Sequence, residues 1–430
     1  MEEMYKDIIE SDSHVLDLSL SLFIGLYLCA LASGIVSQTI LSLAVVFIIA
    51  LLFFSDKFYY VLPIMIFYYY VFGTAFGISV FRIFSILVLA KYIISDHTIK
   101  KRSSMVPVVI MILYCMFILS AYNLRRSIFT IVSILAVLVI LNNISEDEYK
   151  IRVFFSNYTL AALCSFVTGL IEGNRLQYSE MMVGGYTEMS RFMATFEDPN
   201  YMGFFFTIAI FAIVTLELFP RIIRIITVIA LTIMVLTSLS MTAIIGNILI
   251  WILYLIFGKK VNLKTGITLL ICVIVVMVLI NSGVIDSIPF LNSLAGRIQY
   301  KILAWRGGNI NTVVSGRAYR VDEHLNYFKN QSVFRQLFGG NLSTPLGVNP
   351  DIANAVAHNE YVDELLDVGV IGEIIIIGQL VFNTGCCINN YIKYGEHIDL
   401  CKTIIKFVLF YYAVTLTVFL DYRFMIAYFI

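Results

Sequence analysis

The sequence predicts an all-α integral membrane protein, a polytopic bundle of roughly 13 spans (12–14). Three observations lead there. Mean hydropathy is +0.89 and only 13% of the 430 residues are charged, against roughly a quarter in an ordinary soluble domain. Apolar runs of about 17 to 25 residues, each long enough to cross roughly 30 Å of hydrocarbon, follow one another with short polar breaks. The runs lack the period-two alternation of barrel strands, so helices must satisfy the backbone internally.

The N-terminal stretch "MEEMYKDIIESDSH" carries five acidic residues and one lysine, unlike the basic start of a cleaved signal peptide, so no processing is expected. The spans are then placed at 15–33, 35–54, 58–78, 80–95, 105–121, 127–142, 153–171, 200–219, 222–240, 242–258, 265–281, 361–383 and 404–420, in a single membrane domain covering 1–430. Formal net charge is zero, which implies no attraction to nucleic acid. The seven cysteines show no metal or disulfide spacing and read as small core residues.

Basic residues fix the sidedness. The clusters 100–102, Lys150 with Arg152, Arg221 with Arg224, Lys259, Lys260 and Lys264, and Lys393 with Lys402 fall on one side, which the positive-inside rule makes cytoplasmic, together with the N-terminus. Arg125 and Arg126 fall on the other side and break the rule. Two long connections, 172–199 and 282–360, lie outside, and loops of this length are uncommon unless functional. Within the second, Val321, Leu325, Phe328, Phe334 and Phe338 follow a helical repeat that stops at Gly339 and Gly340, as an amphipathic helix on the bundle or at the lipid surface would.

Three outer clusters carry candidate chemistry. In "SRFMATFEDPN", Asp198-Pro199-Asn200 starts a helix, while Arg191 reads either as an anion ligand or as an ion-pair partner of Glu188 or Glu197. In "SGRAYR", Ser315 can cap a helix whose first turn bears Arg317 and Arg320, a phosphate-binding corner or a solvated face. In "AHNEYVDELLDVGVIG", His358 and Asn359 precede a span in which Glu360, Glu364 and Asp367 share one face. Tyr361, Leu365, Gly369 and Gly372 line an adjacent face open to close helix approach. Carboxylates this deep must face protein or a water-filled cavity. Arg82 is either a fourth cation or a snorkelling side chain. A metal site built from His358, Asp351 and Glu360 has no recognised ligand spacing.

Taken in order, Arg191 with "ATFEDPN", "SGR" at 315–317, "LFGGN" at 337–341 and "HNEYVDELLDVGVIG" at 358–372 resemble the bacterial O-antigen ligases and the O-antigen or capsule repeat-unit polymerases, the WaaL and Wzy type. The resemblance covers about residues 185–385. It departs at "LTSLSMTA", where Met241 stands for a family arginine, and after "SGR", where Tyr319 is the only aromatic.

The resemblance implies a GT-C-like glycosyltransferase of the bacterial cytoplasmic membrane with an extracytoplasmic site and no cofactor. Its partners would be an undecaprenyl-pyrophosphate-linked glycan donor, a glycan acceptor, membrane lipids and a chain-length regulator. The pyrophosphate leaving group needs charge neutralisation, a task for Arg191, Arg317, Arg320 and Arg82. The attacking hydroxyl needs a base, His358, with Glu360 as reserve or orienting partner. Asn200, Asn359 and Tyr361 would contact substrate. Polymerase is preferred over ligase, because a divergent pocket suits variable glycans. A lipid-linked oligosaccharide flippase is the rival of another class.

Overall fold

The computed structural model describes residues 58–72, 74–75, 78–94, 124–144, 147–172, 177–180, 189–258, 289–308, 317–339 and 357–416, with isolated helical positions at Leu43, Val46 and Ile49. The expected spans 15–33, 105–121 and 265–281, and most of 35–54, lie outside these residues, as do Ser315 and Asp351. The described chain is all-α apart from two short antiparallel ribbons.

Helix α1 (Phe58–Phe67) and the single turn α2 (Tyr69–Phe72) are followed by the ribbon β1 (Thr74–Ala75) and β2 (Ile78–Ser79) and by helix α3 (Val80–Ile94). The apolar run 58–78 is thus not one span. Its helix stops at Phe67, and a ribbon takes up its last residues. Helix α4 (Leu124–Ile144) packs on α3, and α5 (Glu148–Glu172) packs on α1. A second ribbon, β3 (Gln177–Glu180) with β4 (Met189–Phe192), occupies the first long loop and pairs Tyr178 with Arg191.

Helix α6 (Pro199–Thr215) is the axis of the bundle. All its residues except Tyr201 and Val214 are buried, against α5, α7 (Arg221–Thr237), α8 (Met241–Phe257) and α13 (His397–Ala413). A ring cluster of Phe67, Tyr158, Phe196, Phe205 and Phe206 fills the α1–α5–α6 junction, with Phe196 stacked on Phe205 at 5.1 Å. On the other flank, close approach is bought by small residues: a Cβ on Gly203 would meet the Ala243 side chain, and one on Gly246 would meet the Tyr411 ring, the packing expected where backbones come near. The outer faces of α7 and α8 expose Ile222, Ile223, Ile225, Ile226, Ile229 and Ile233, then Ile245, Ile248, Ile252 and Ile256.

Polar groups separate to the two ends of α6. At its C-terminal end Arg152 Nη1 donates to the Leu216 carbonyl at 2.6 Å, Arg224 pairs with Glu217, and Cys401 hydrogen-bonds Thr215. Its N-terminal end, about 25 Å away by helical rise, carries Asp198 and Asn200.

The second long loop contains α9 (Pro289–Arg306), α10 (Arg317–Lys329) and α11 (Val333–Phe338). The single amphipathic helix expected from Val321 to Phe338 is two. Ser332 starts the second by accepting the Arg335 N–H, and the Gln336 amide lies 3.0–3.3 Å from the Phe328, Lys329 and Gln331 carbonyls, closing the end of α10. The apolar period runs through the break, which is why it reads as continuous.

Helix α12 (Glu360–Tyr394) packs along α13 and extends beyond the expected end at 383 to stop at Gly395. It is broken at Gly369 (φ 71°, ψ −179°), and α11 docks into the break. Gly339, at the end of α11, has φ 76° and ψ −169°. Both conformations belong to a region that only glycine occupies readily. A Cβ on Gly369 would lie 2.4–2.5 Å from the Gly339 nitrogen and the Leu337 carbonyl, and one on Gly339 would lie 2.1 Å from the Asp367 oxygen. Gly369 on this face therefore receives the end of a loop helix rather than a parallel span, while a Cβ on Gly372 would meet Val368 of its own helix. Among the described residues two helices are long and apolar enough to cross a membrane, Glu148–Ile171 and Glu360–Tyr394; shorter apolar helices include Pro199–Thr215 and Met241–Phe257.

Candidate functional site

The site grows from the start of α6. Asp198 is its N-cap, extended at φ −142°, with Pro199 in the first helical position and the Asn200 N–H donating to Asp198 Oδ1 at 2.6 Å. The preceding turn is pinned from beneath: the Thr195 hydroxyl donates to the Phe67 carbonyl, which leaves the Ser165 hydroxyl as donor to Thr195. Asn200 Oδ1 accepts the Ser240 hydroxyl, and Ser240 Oγ accepts the Ala243 N–H as N-cap of α8. Buried Arg191 leaves β4 with its Nε donating to the Ser238 carbonyl at 3.2 Å, in the same α7–α8 turn. Three sequence-distant segments thus meet at one end of the bundle.

The outer-loop helix adds cations to this end. Arg317 opens α10 and reaches Thr242 of α8 at 3.5 Å. Arg320 and His324 follow at spacings of three and seven, on the same face. His324 is buried, and its Nδ1 must be the protonated nitrogen, since it sits 2.7 Å from the Arg320 carbonyl, which can only accept.

His358 faces this group from the chain entering α12. Its imidazole is held below its ordinary pKa of 6.5, first by burial, then by the Arg320 and Arg317 guanidiniums, with Asp198 opposing them and His324 adding to them. The charges that bear on His358 are thus those of Arg317, Arg320, Asp198 and His324. Asn359 caps α12 without a side-chain cap bond, and its Oδ1 is buried with no hydrogen-bond partner among the described residues.

Other candidates lie elsewhere. Glu360 is buried and shares a hydrogen bond with Glu364. The Tyr361 hydroxyl donates to the Phe410 carbonyl of α13 at 3.2 Å. Arg82 stacks over Phe129 at 4.6 Å in the α3–α4 pair. Glu364 and Asp367 are buried in protein, as their cost in an apolar run requires. Among the described residues no three His, Cys, Asp or Glu side chains are grouped to hold a metal ion.

No protein-family model matches this chain, and neither does any curated protein or solved structure. The site stands on its own geometry. Asp198 and His324 were missed by sequence reasoning, although Asp198 lies inside a quoted motif and His324 just beyond one; His324 repeats one turn after Arg320, a spacing that would have flagged it.

Chemically, the arrangement couples a neutral imidazole to two permanent cations. A neutral imidazole can accept a proton, and the guanidiniums can bind phosphate oxygens in pairs. The pH dependence has a definite sign. If His358 serves as a base it must be unprotonated, so an activity that depends on it would rise with pH through the His358 pKa, and that limb should lie below 6.5. Arg320→Gln removes a cation that disfavours the imidazolium, so the limb should move up toward 6.5; a rate profile between pH 5 and 8 that leaves it in place would disconnect Arg320 from His358.

Proposed function

We propose that this chain is a polytopic membrane glycosyltransferase of roughly 13 spans. It polymerises undecaprenyl-pyrophosphate-linked oligosaccharide repeat units of an O-antigen, capsule or exopolysaccharide by inverting transfer on the outer face of the bacterial cytoplasmic membrane. The observation that carries the reading is the convergence of Arg191 and Arg317 on the Ser238–Thr242 turn, with His358 titrating in the field of Arg317, at the N-terminal end of α6, remote from the end of Arg152 and Arg224. Under the positive-inside rule the second end is cytoplasmic and the first is outside. Arg191 and Arg317, from two of the resembling motifs, both contact the Ser238–Thr242 turn at that end.

In the proposed reaction the acceptor hydroxyl gives its proton to His358 as its oxygen attacks the anomeric carbon. The bond from that carbon to the pyrophosphate oxygen breaks with its electron pair, and Arg317 and Arg320 neutralise the departing charge, with Arg191 of β4 on the adjoining turn. A pyrophosphate leaves without being protonated, so no acid is required. Direct displacement inverts the anomeric configuration.

Arg191→Lys and Arg317→Lys should each weaken transfer on the order of tenfold, because an ammonium cannot replace the forked contact. Full activity in both would reduce these arginines to structural groups. The reading itself is tested with purified full-length protein in detergent and a carrier-linked repeat unit. A product ladder growing by whole repeat units supports it; an unextended unit, or transfer only to a lipid A core acceptor, overturns it.

A further inference from the structure

His358 occupies an unusual backbone position. Its φ is +54°, a left-handed conformation that costs a side-chain-bearing residue about 1–2 kcal/mol and persists only where the surroundings enforce it. Such a residue turns successive N–H groups toward one point and makes a small anion-binding concavity. Here the concavity is filled from within the chain. Asp363, one turn into α12 and buried, accepts the Ala357 N–H on Oδ1 at 3.0 Å, and the N–H groups of His358 and Asn359 are directed at the same carboxyl. In return the Asp363 N–H donates to the Asn359 carbonyl at 2.9 Å. Oδ2 has no partner meeting hydrogen-bond geometry among the described residues, so the grip is made chiefly through one oxygen.

The Asn359 side chain makes no cap bond, which leaves the entry to α12 to Asp363. With the backbone of 357–359 held in this way, the imidazole is kept within the field of Arg317, Arg320 and His324 of α10 and of Asp198 before α6.

We propose that Asp363 is a positioning residue, whose carboxylate folds back on the Ala357–Asn359 backbone and fixes the left-handed turn that aims His358. Its catalytic consequence rests on the reading of His358 as the base; the structural part does not. Asp363→Ala should lower kcat about 10- to 100-fold with KM little changed, since a displaced base costs rate rather than binding. Asp363→Asn, which keeps an acceptor for the Ala357 N–H, should recover most of that loss.

Two measurements need no substrate. In the full chain the His358 imidazole, assigned by comparison with His358→Gln, should titrate below 6.5 and move toward 6.5 in Asp363→Ala as the ring is released from its buried position. In the unsubstituted protein, the amide of Ala357 should exchange with deuterium slowly although it precedes the helix. An unmoved imidazole titration, or fast exchange at Ala357, overturns the proposal, the second even if Asp363→Ala fails to fold. A protein that is inactive on carrier-linked units but shows both signatures removes the glycosyl-transfer reading and leaves the positioning role intact.

Discussion

His358→Ala is expected to lower the rate of repeat-unit transfer by about 10²-fold or more while the protein still accumulates in the membrane. The alanine keeps the left-handed turn available, because the Asp363 contact is to backbone and not to the imidazole. The guanidiniums at Arg317 and Arg320 remain to bind the leaving group, so KM should change little and kcat should carry the loss. Following ladder formation with purified protein at several donor concentrations separates the two. A variant that polymerises at the normal rate would take His358 out of the chemistry and leave the site as an anion-binding corner alone.

Gly369→Ala has the largest expected effect on folding. The backbone there (φ 71°, ψ −179°) costs any other residue about 1–3 kcal/mol, and the added methyl would press on the main chain of Leu337 and Gly339, which cannot rotate away. Together these should cost about 3 kcal/mol or more, enough to unseat α11 from α12. Gly378, on the same helix, has open space around its Cβ position, and there alanine should be neutral or stabilising by up to about 1 kcal/mol. Thermal unfolding in detergent compares the pair directly, and equal melting temperatures would mean that the break in α12 bears no load.

What the residues disclosed beforehand was mostly local. Asp198-Pro199-Asn200 announces the start of α6 because a capping carboxylate and a proline in the first turn act within four residues, and α3, α7 and α8 begin and end close to where their apolar runs do. The rest depends on partners distant in sequence. An apolar run does not reveal that its last residues form a ribbon, as at Thr74–Ser79. The break at Gly369 is set by α11, thirty residues away, and Tyr361 is engaged by the Phe410 carbonyl of a helix that follows much later. Arg82 stacks on Phe129 through a pairing of α3 with α4 that no periodicity specifies.

The isoleucine wall on α7 and α8 is short. Seventeen residues in each helix make an apolar surface about 25 Å tall, less than the roughly 30 Å of a typical hydrocarbon layer. In a membrane, lipid meeting this wall must compress to cover it, and the dimple so formed lowers headgroups beside the Ser238–Thr242 turn. On the proposed function, a diphosphate riding on a polyprenyl tail would then be carried toward the depth of Arg317 by the shape of the bilayer itself, before any side chain touches it.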